Sequence, residues 1–306
     1  MRIATMAAGA VGGYFGARLA AAGEDVSFIA RGAHLAAINA KGLRVESPLG
    51  NVHIENAKAT AEPRDIGPVN VVLFAVKLWD TELAGEQARA LIGAGTRLIT
   101  LQNGVDSVER LAPILGRDHV AGGTSHLATV ISSPGVISHT SPFARIRCGR
   151  GDGQDDPVLR AFVETAQRAG IDASLSDNID LDRWIKFTFL VGLSGATGAM
   201  RMPIGPILAD PDTRAFFLEL MRETVAVGRA SGVPLPSDFA EEQLKFAETV
   251  PFGMKASLLH DLERGGRLEL DWLSGKVAEL GRKLSIPTPA NNCAYAVLKL
   301  QRHGRQ

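Results

Sequence analysis

Cysteine is nearly absent from this 306-residue chain: only Cys148 and Cys293 occur, far apart. Two thiols are too few for a disulfide framework or a thiolate metal centre, so two buried free thiols in a reducing compartment are expected, and no metal. Net charge is absent too, with 33 Lys+Arg against 33 Asp+Glu. No overall field draws such a chain to nucleic acid or to an anionic membrane. No apolar run approaches the ~20 residues of a membrane-spanning helix. "MRIATM" runs straight into folded pattern with no signal core, so the cytoplasm is the expected compartment. Internal repeats and low-complexity tracts are also missing.

What is present is a change of texture along the chain. "RIATMA" (Arg2–Ala7) is a short apolar run, as a buried strand requires. "GARLAAAG" then reads as a helix stopped at Gly23, and "DVSFIA" (Asp25–Ala30) as a second strand. Strand, turn, helix and strand within about 30 residues make a βαβ unit, the building block of a parallel sheet. "VNVVLFAVK" (Val69–Lys77) and "RLITLQNG" (Arg97–Gly104) add strands, and "TELAGEQARALI" and "VDSVERLAPIL" add helices. Residues 120–149 mix β-branched residues with "SPG" and predict antiparallel strands at a sheet edge. From Pro157 helical periodicity takes over. Pro203, Pro206, Pro211, Pro234, Pro236, Pro251, Pro287 and Pro289 fall where helix boundaries are expected. The expected fold class is α/β: an N-terminal parallel-sheet domain over 1–173, then an all-helical domain over 174–306.

The glycine-rich stretch "MAAGAVGGYFG" (Met6–Gly16) follows a predicted strand and opens a helix. A flexible linker would lack both flanks. The context is that of a dinucleotide-binding turn in a Rossmann-type domain, whose three fingerprint positions fall on Ala7, Gly9 and Gly12. Gly9 would let the backbone approach a pyrophosphate, and Gly12 would let the helix pack closely on its strand. The N–H groups at the start of the helix, from Ala10 and Val11 onward, face the phosphates. Ala7 stands where the pattern has its first glycine; its methyl is tolerable if φ is negative.

Rossmann domains that take NAD usually end the second strand with an acid for the ribose hydroxyls. Here the strand ends "FIARGAH", and Arg31 holds that position. A guanidinium pairs with the 2′-phosphate of NADP and stacks on adenine, so NADP(H) is the expected cofactor. The plain alternative is a surface arginine at a strand end.

Five separated motifs now come into one order: "GAVGGYFGARLAAAGEDVSFIAR", "FAVKLWD", "LQNGVDSVERL", "RWIKF" and "KASLLHDLERGGRLELDWLSGKV". Together they resemble the ketopantoate reductase (2-dehydropantoate 2-reductase) family over nearly the whole chain. The resemblance implies a Rossmann domain, a helical domain and an active site in the cleft between them. It also implies hydride transfer from NADPH to the ketone of a 2-oxo acid: ketopantoate to pantoate, a step of pantothenate biosynthesis. Carried onto this sequence, Lys186 is the general acid for the ketone oxygen and Glu269 arranges that lysine and the substrate hydroxyl. Ser257 holds the substrate carboxylate. Asn103, in the "QNG" turn, lies between nicotinamide and substrate, and Lys77 lies near the cofactor. A homodimer is implied as well.

The lysine chemistry stands independently. Hydride addition leaves negative charge on oxygen, which a positioned ammonium neutralises and protonates. Lysine near its ordinary pKa of ~10.4 is a weak acid, so desolvation should tune it down, with Glu269 opposing part of the shift. The chain departs from the family at three substrate-binding asparagines, which are Leu190, Ser194 and Met254 here. Fewer polar groups remain for the hydroxyl of ketopantoate, which keeps a second substrate open: a more apolar 2-oxo acid reduced by the same mechanism, as a D-2-hydroxyacid dehydrogenase would. A third reading is a non-catalytic NADP-binding sensor, but a sensor has no need of the proton donor Lys186 or of Glu269.

Overall fold

The computed structural model describes residues 1–151 and 153–305. Contacts divide the chain into two compact units: Met1–Gln102 with Asp106–Asp182, and Asn103–Val105 with Arg183–Gln306.

In the first unit the chain forms β1 (Arg2–Met6), α1 (Ala10–Ala21), β2 (Asp25–Ile29), α2 (Gly32–Lys41), β3 (Leu43–Glu46), β4 (Val52–Ile54), β5 (Lys58–Thr60) and β6 (Val71–Phe74). It continues with α3 (Thr81–Ala88), β7 (Arg97–Thr100), α4 (Ser107–Leu115), β8 (Val120–His126), β9 (Thr129–Ser133), β10 (Val136–His139), β11 (Arg145–Gly149), α5 (Pro157–Arg168) and β12 (Asp172–Leu175). Among the described residues these strands make an eight-stranded sheet, β12-β11-β8-β7-β6-β1-β2-β5, and a four-stranded sheet, β4-β3-β10-β9. Asp172–Leu175, where the sequence suggested the passage between domains, is the edge strand of the larger sheet.

The larger sheet is parallel except where β11 runs against β8. Because both its faces are covered, its inner strands β1, β6 and β7 are buried on consecutive residues rather than on alternate ones. Ile3, Phe28, Leu73 and Ile99 enter one core, and Ala4, Met6, Phe74 and Leu98 the other. Chain order reverses beside β1, which has β2 on one side and β6 on the other. Open α/β sheets bind ligands at the carboxyl ends of strands at such a switch point. The turn after β1 and the first residues of α1 carry Ala7–Gly12, and the turn after β6 carries Lys77.

The stretch 120–149 differs from its expected arrangement. Only part of it is antiparallel edge: β8 is an interior strand, parallel to β7. The β9–β10 hairpin leaves the large sheet and joins β3 and β4, with β10 parallel to β3. Ile137 of β10 then packs where a Cβ on Gly13 of α1 would stand, so the small sheet lies against α1. A partly buried hydrogen-bond chain fastens the same region. Ser47 Oγ accepts from Leu49 N and Arg18 Nη2, so its own proton points to His139 Nδ1, 2.8 Å away. The other ring nitrogen, Nε2, then carries hydrogen toward Ser141 Oγ and the Phe143 carbonyl. The Tyr14 ring of α1 leans on His139 at 4.5 Å.

α6 (Ile179–Met200) carries the chain into the second unit, followed by α7 (Ile204–Ala209), α8 (Pro211–Ala230), α9 (Phe239–Ala247), α10 (Ser257–Glu263), α11 (Ser274–Leu284) and α12 (Pro289–Leu298). Pro206 does not bound a helix as expected but sits in the first turn of α7, where its missing N–H costs no helical bond. Small residues on α6 set the packing: at Gly195 and Gly198 a Cβ would press on Leu220 of α8 and on Leu258 and Leu298. Glu223, buried on α8, caps α12 by accepting from the amides of Ala290 and Asn291 at 2.6 and 2.8 Å. Burial pushes its pKa up and these amides pull against that. The two thiols are free, but only Cys148 is buried, and burial pushes it up to about 12. Cys293, expected to be buried, is exposed because α12 turns Ala290, Ala294 and Leu298 inward and 293 falls on the opposite face. Among the described residues no helix is long and apolar enough to cross a membrane.

Candidate active site

The glycine turn is built from backbone. β1 ends at Met6, Ala8 N donates to Ile29 O at 2.7 Å, and Gly9 is the N-cap of α1. Among the described residues no side chain caps this helix, and its first turn carries no acid. Its N–H groups and partial positive charge therefore remain available to an anion. A Cβ on Gly9 would meet nothing within 4 Å among the described residues, whereas one on Gly12 would collide with the Ala7 carbonyl oxygen. The first glycine thus leaves open space for a ligand, and the second allows the helix to start close beside the turn. Ala7 is not strained in the left-handed region: among the described residues only Arg201 and Ser285 of the non-glycines lie there. A methyl at position 7 is compatible with the turn for that reason. Ala7, Gly9, Ala10 and Val11 are half-buried, and Gly12 is buried.

Arg31 follows β2, N-caps α2 and is exposed, with Nη2 donating to Gln87 Oε1 at 2.8 Å. Gly32 beside it takes φ of +56°, which a residue with a side chain rarely adopts. Lys77 is exposed after β6, its ammonium 5.7 Å from the centre of the Trp79 ring.

Between these turns lies a residue the sequence reading passed over. Gln102, 7% exposed, donates from Nε2 to the Val76 carbonyl at 3.1 Å and to Thr81 Oγ1 at 2.8 Å. Its Oε1 accepts from Thr100 Oγ1 at 3.2 Å. One buried amide therefore clips the end of β7 to the turn that carries Lys77. The "QNG" triplet marked the turn, but nothing local distinguishes a clipping glutamine from a solvated one.

Asn103, the next residue, belongs with the helical unit. Its Oδ1 accepts from Lys186 Nζ at 3.0 Å. Lys186 lies on α6, half-buried as a residue, with its ammonium withdrawn from water. That desolvation pushes its pKa down to about 8, and the charge of Glu269 acts in the opposite direction. Glu269 is 6% exposed, at the start of a short helical turn before α11. The structure therefore brings together Lys186, Asn103 and Glu269. Leu190 and Ser194 follow Lys186 by one and two turns on the same face of α6, Leu190 half-buried and Ser194 buried. Ser257 is exposed as the first residue of α10, and Met254 is half-buried in the segment before it. The chemical capacity of the cluster is that of an acid: an ammonium near neutral pKa, oriented by an amide and kept charged by a carboxylate.

Comparison with known proteins places the whole chain in one family. The family model for ketopantoate reductase PanE/ApbA matches residues 3–153, and the model for its C-terminal part matches residues 178–302. A 2-dehydropantoate 2-reductase of Mesorhizobium japonicum is 32% identical, over 98% of this chain and 97% of its own. Among solved structures, 2-dehydropantoate 2-reductase from Geobacter metallireducens superposes with a TM-score of 0.92 at 29% identity, covering 98% of this chain and 99% of that one. A PanE/ApbA family ketopantoate reductase from Ralstonia eutropha gives 0.90 at 31% identity, covering 99% and 98%. With both halves of the chain matched in order, and with a Rossmann-like sheet followed by helices, the chain belongs to the ketopantoate reductase family of oxidoreductases.

Proposed function

We propose that the protein is an NADPH-dependent reductase that turns a 2-oxo acid into a 2-hydroxy acid, with ketopantoate as the reference substrate, acting in the cytoplasm as a homodimer. The observation that carries the reading is Lys186, whose pKa of about 8 combines with a hydrogen bond to Asn103 and the nearby charge of Glu269. An ordinary surface lysine has none of these.

The backbone of Ala7, Gly9, Ala10, Val11 and Gly12 would hold the pyrophosphate. The open space at Gly9 and the uncapped start of α1 fit that group. Arg31 would pair with the 2′-phosphate, and Lys77 and Asn103 would lie toward the nicotinamide. When bound, the dinucleotide supplies a hydride to the ketone carbon. Lys186 gives its proton to the ketone oxygen, so C=O becomes CH–OH and the lysine is left neutral until it takes a proton from water. Asn103 Oδ1 aims the ammonium. Glu269 favours its charged form, which keeps it an acid at neutral pH. The Ser257 hydroxyl donates to the substrate carboxylate.

NADPH oxidation measured against a set of 2-oxo acids tests this reading. Consumption that depends on both the oxo acid and Lys186 is expected. NADPH binding without turnover of any oxo acid would instead indicate a sensor. The cofactor choice has its own measurement: NADPH should bind at least tenfold tighter than NADH, about 1.4 kcal/mol, and Arg31→Ala should remove most of that difference.

A further inference from the structure

The face of α6 just beyond Lys186 changes character. Phe189 and Leu190, three and four residues on, flank the line of the lysine, and Leu193 follows one turn later. Phe189 is half-buried. Its ring packs edge-on against Phe217 of α8 at 6.4 Å and against Phe246 of α9 at 5.1 Å. Phe217 is fully buried and Phe246 is 50% exposed, so the aromatic row runs from core to surface. Leu190 is half-buried, and Leu193 is buried. The hydroxyl that follows is buried: Ser194 is 1% exposed, and its Oγ has no partner among the described residues. Beyond Lys186, then, Phe189 and Leu190 keep exposed surface on α6, and Ser194 keeps almost none. Lys186, Asn103 and Glu269 are meanwhile committed to the ketone.

We infer that the 2-oxo acid reduced beside Lys186 carries a hydrocarbon side chain, and that Leu190 with Phe189 selects it. A substrate hydroxyl set against this wall would give up its water without gaining a partner, whereas a methyl loses nothing. A branched hydrocarbon also gains contact with the Phe189 ring. This inference rests on the reductase reading and deepens it.

Two compounds of nearly equal shape isolate the point. 3,3-Dimethyl-2-oxobutanoate is ketopantoate with its CH2OH replaced by CH3. Steady-state kinetics with NADPH should give the dimethyl compound a kcat/KM at least about tenfold above that of ketopantoate. Leu190→Asn, which offers an amide to the hydroxyl, should reduce that ratio at least about tenfold. Leu190→Thr should reduce it less and serves if the asparagine variant does not fold. If both compounds are reduced but the wild-type ratio is below tenfold or favours ketopantoate, the inference is overturned and the reductase reading stands. If neither compound nor any other 2-oxo acid is reduced, both fall together. A ratio that neither Leu190 substitution changes overturns the assignment of selectivity to this residue.

Discussion

The turn after β1 and the cluster on α6 answer similar demands in opposite ways. The turn offers a ligand only backbone N–H groups, and what matters there is the lack of side chains at Gly9 and Gly12. The cluster depends entirely on side chains, and on how water is kept from one of them. Backbone dipoles hold a fixed partial charge at any pH, so the turn suits a cofactor that must bind in every cycle. An ammonium changes its charge, and its pKa can be moved by burial and by a neighbour, so the cluster suits a proton that must leave. Mutations should therefore fail differently in the two places: by obstruction in the turn, and by lost protonation in the cluster.

The largest expected effect separates them most clearly. Lys186→Ala should lower turnover by at least ~100-fold, the scale of general acid catalysis, while NADPH affinity measured by fluorescence titration changes little. Gly9→Val should do the reverse: NADPH binding is lost while thermal stability holds, because the added side chain enters space that the fold does not use. Gly12→Val should cost both binding and stability, since its Cβ meets the Ala7 carbonyl. Equal loss of stability in the two glycine variants would refute the division of labour between them. The pH profile sharpens the contrast. Reduction needs protonated Lys186, so kcat/KM should fall as pH rises through about 8. Since Glu269 raises the pKa of this lysine, Glu269→Gln should move that fall to lower pH. A shift to higher pH would show that the carboxylate does not act on the lysine as described.

Smaller effects concern the scaffolding. Gln102→Leu leaves Thr81 and the Val76 carbonyl without a donor and should cost roughly 1–3 kcal/mol in chemical denaturation. His139 gives the smallest effect. Burial holds its pKa below the ordinary value of 6.5, the Phe143 carbonyl opposes this, and Arg18 adds to it. The unfolded chain then binds the extra proton more readily than the folded one, so the contribution is complete above pH 6.5 and is lost as pH falls below it. His139→Phe should flatten that acid-side decline in stability.

Much of this was legible in the sequence because it is local. The β1–α1–β2 unit, its glycines and Arg31 lie within a few turns of one another, and periodicity reports them directly. The helical period of α6 likewise placed Leu190 and Ser194 on the face of Lys186. What escaped was set by distant pairing. β3 and β4 alternate apolar and polar residues, but over only four and three positions, and nothing in the sequence pairs β3 with β10, so the small sheet was not visible. The clip made by Gln102 depends on Val76 and Thr81, more than 20 residues earlier, and no spacing rule predicts it. Cys293 went wrong for a simpler reason: cysteine is usually buried, but the phase of α12 turned this one outward.

The small sheet has a consequence for the order in which the molecule assembles. Its two hairpins come from separate stretches of chain, and the bond between Ser47 and His139 joins residues 92 positions apart. A lone hairpin is marginal in water, so neither half persists until the other arrives. Closing so long a loop is slow compared with forming a helix beside its own strand. The β1–α1–β2 unit should therefore dock early with one side of α1 bare, and Ile137 should settle against Gly13 only near the end. During that interval the exposed flank of α1 is the surface a chaperone or a second unfolded chain would find, and Ile137→Asp should show itself first as aggregation during refolding.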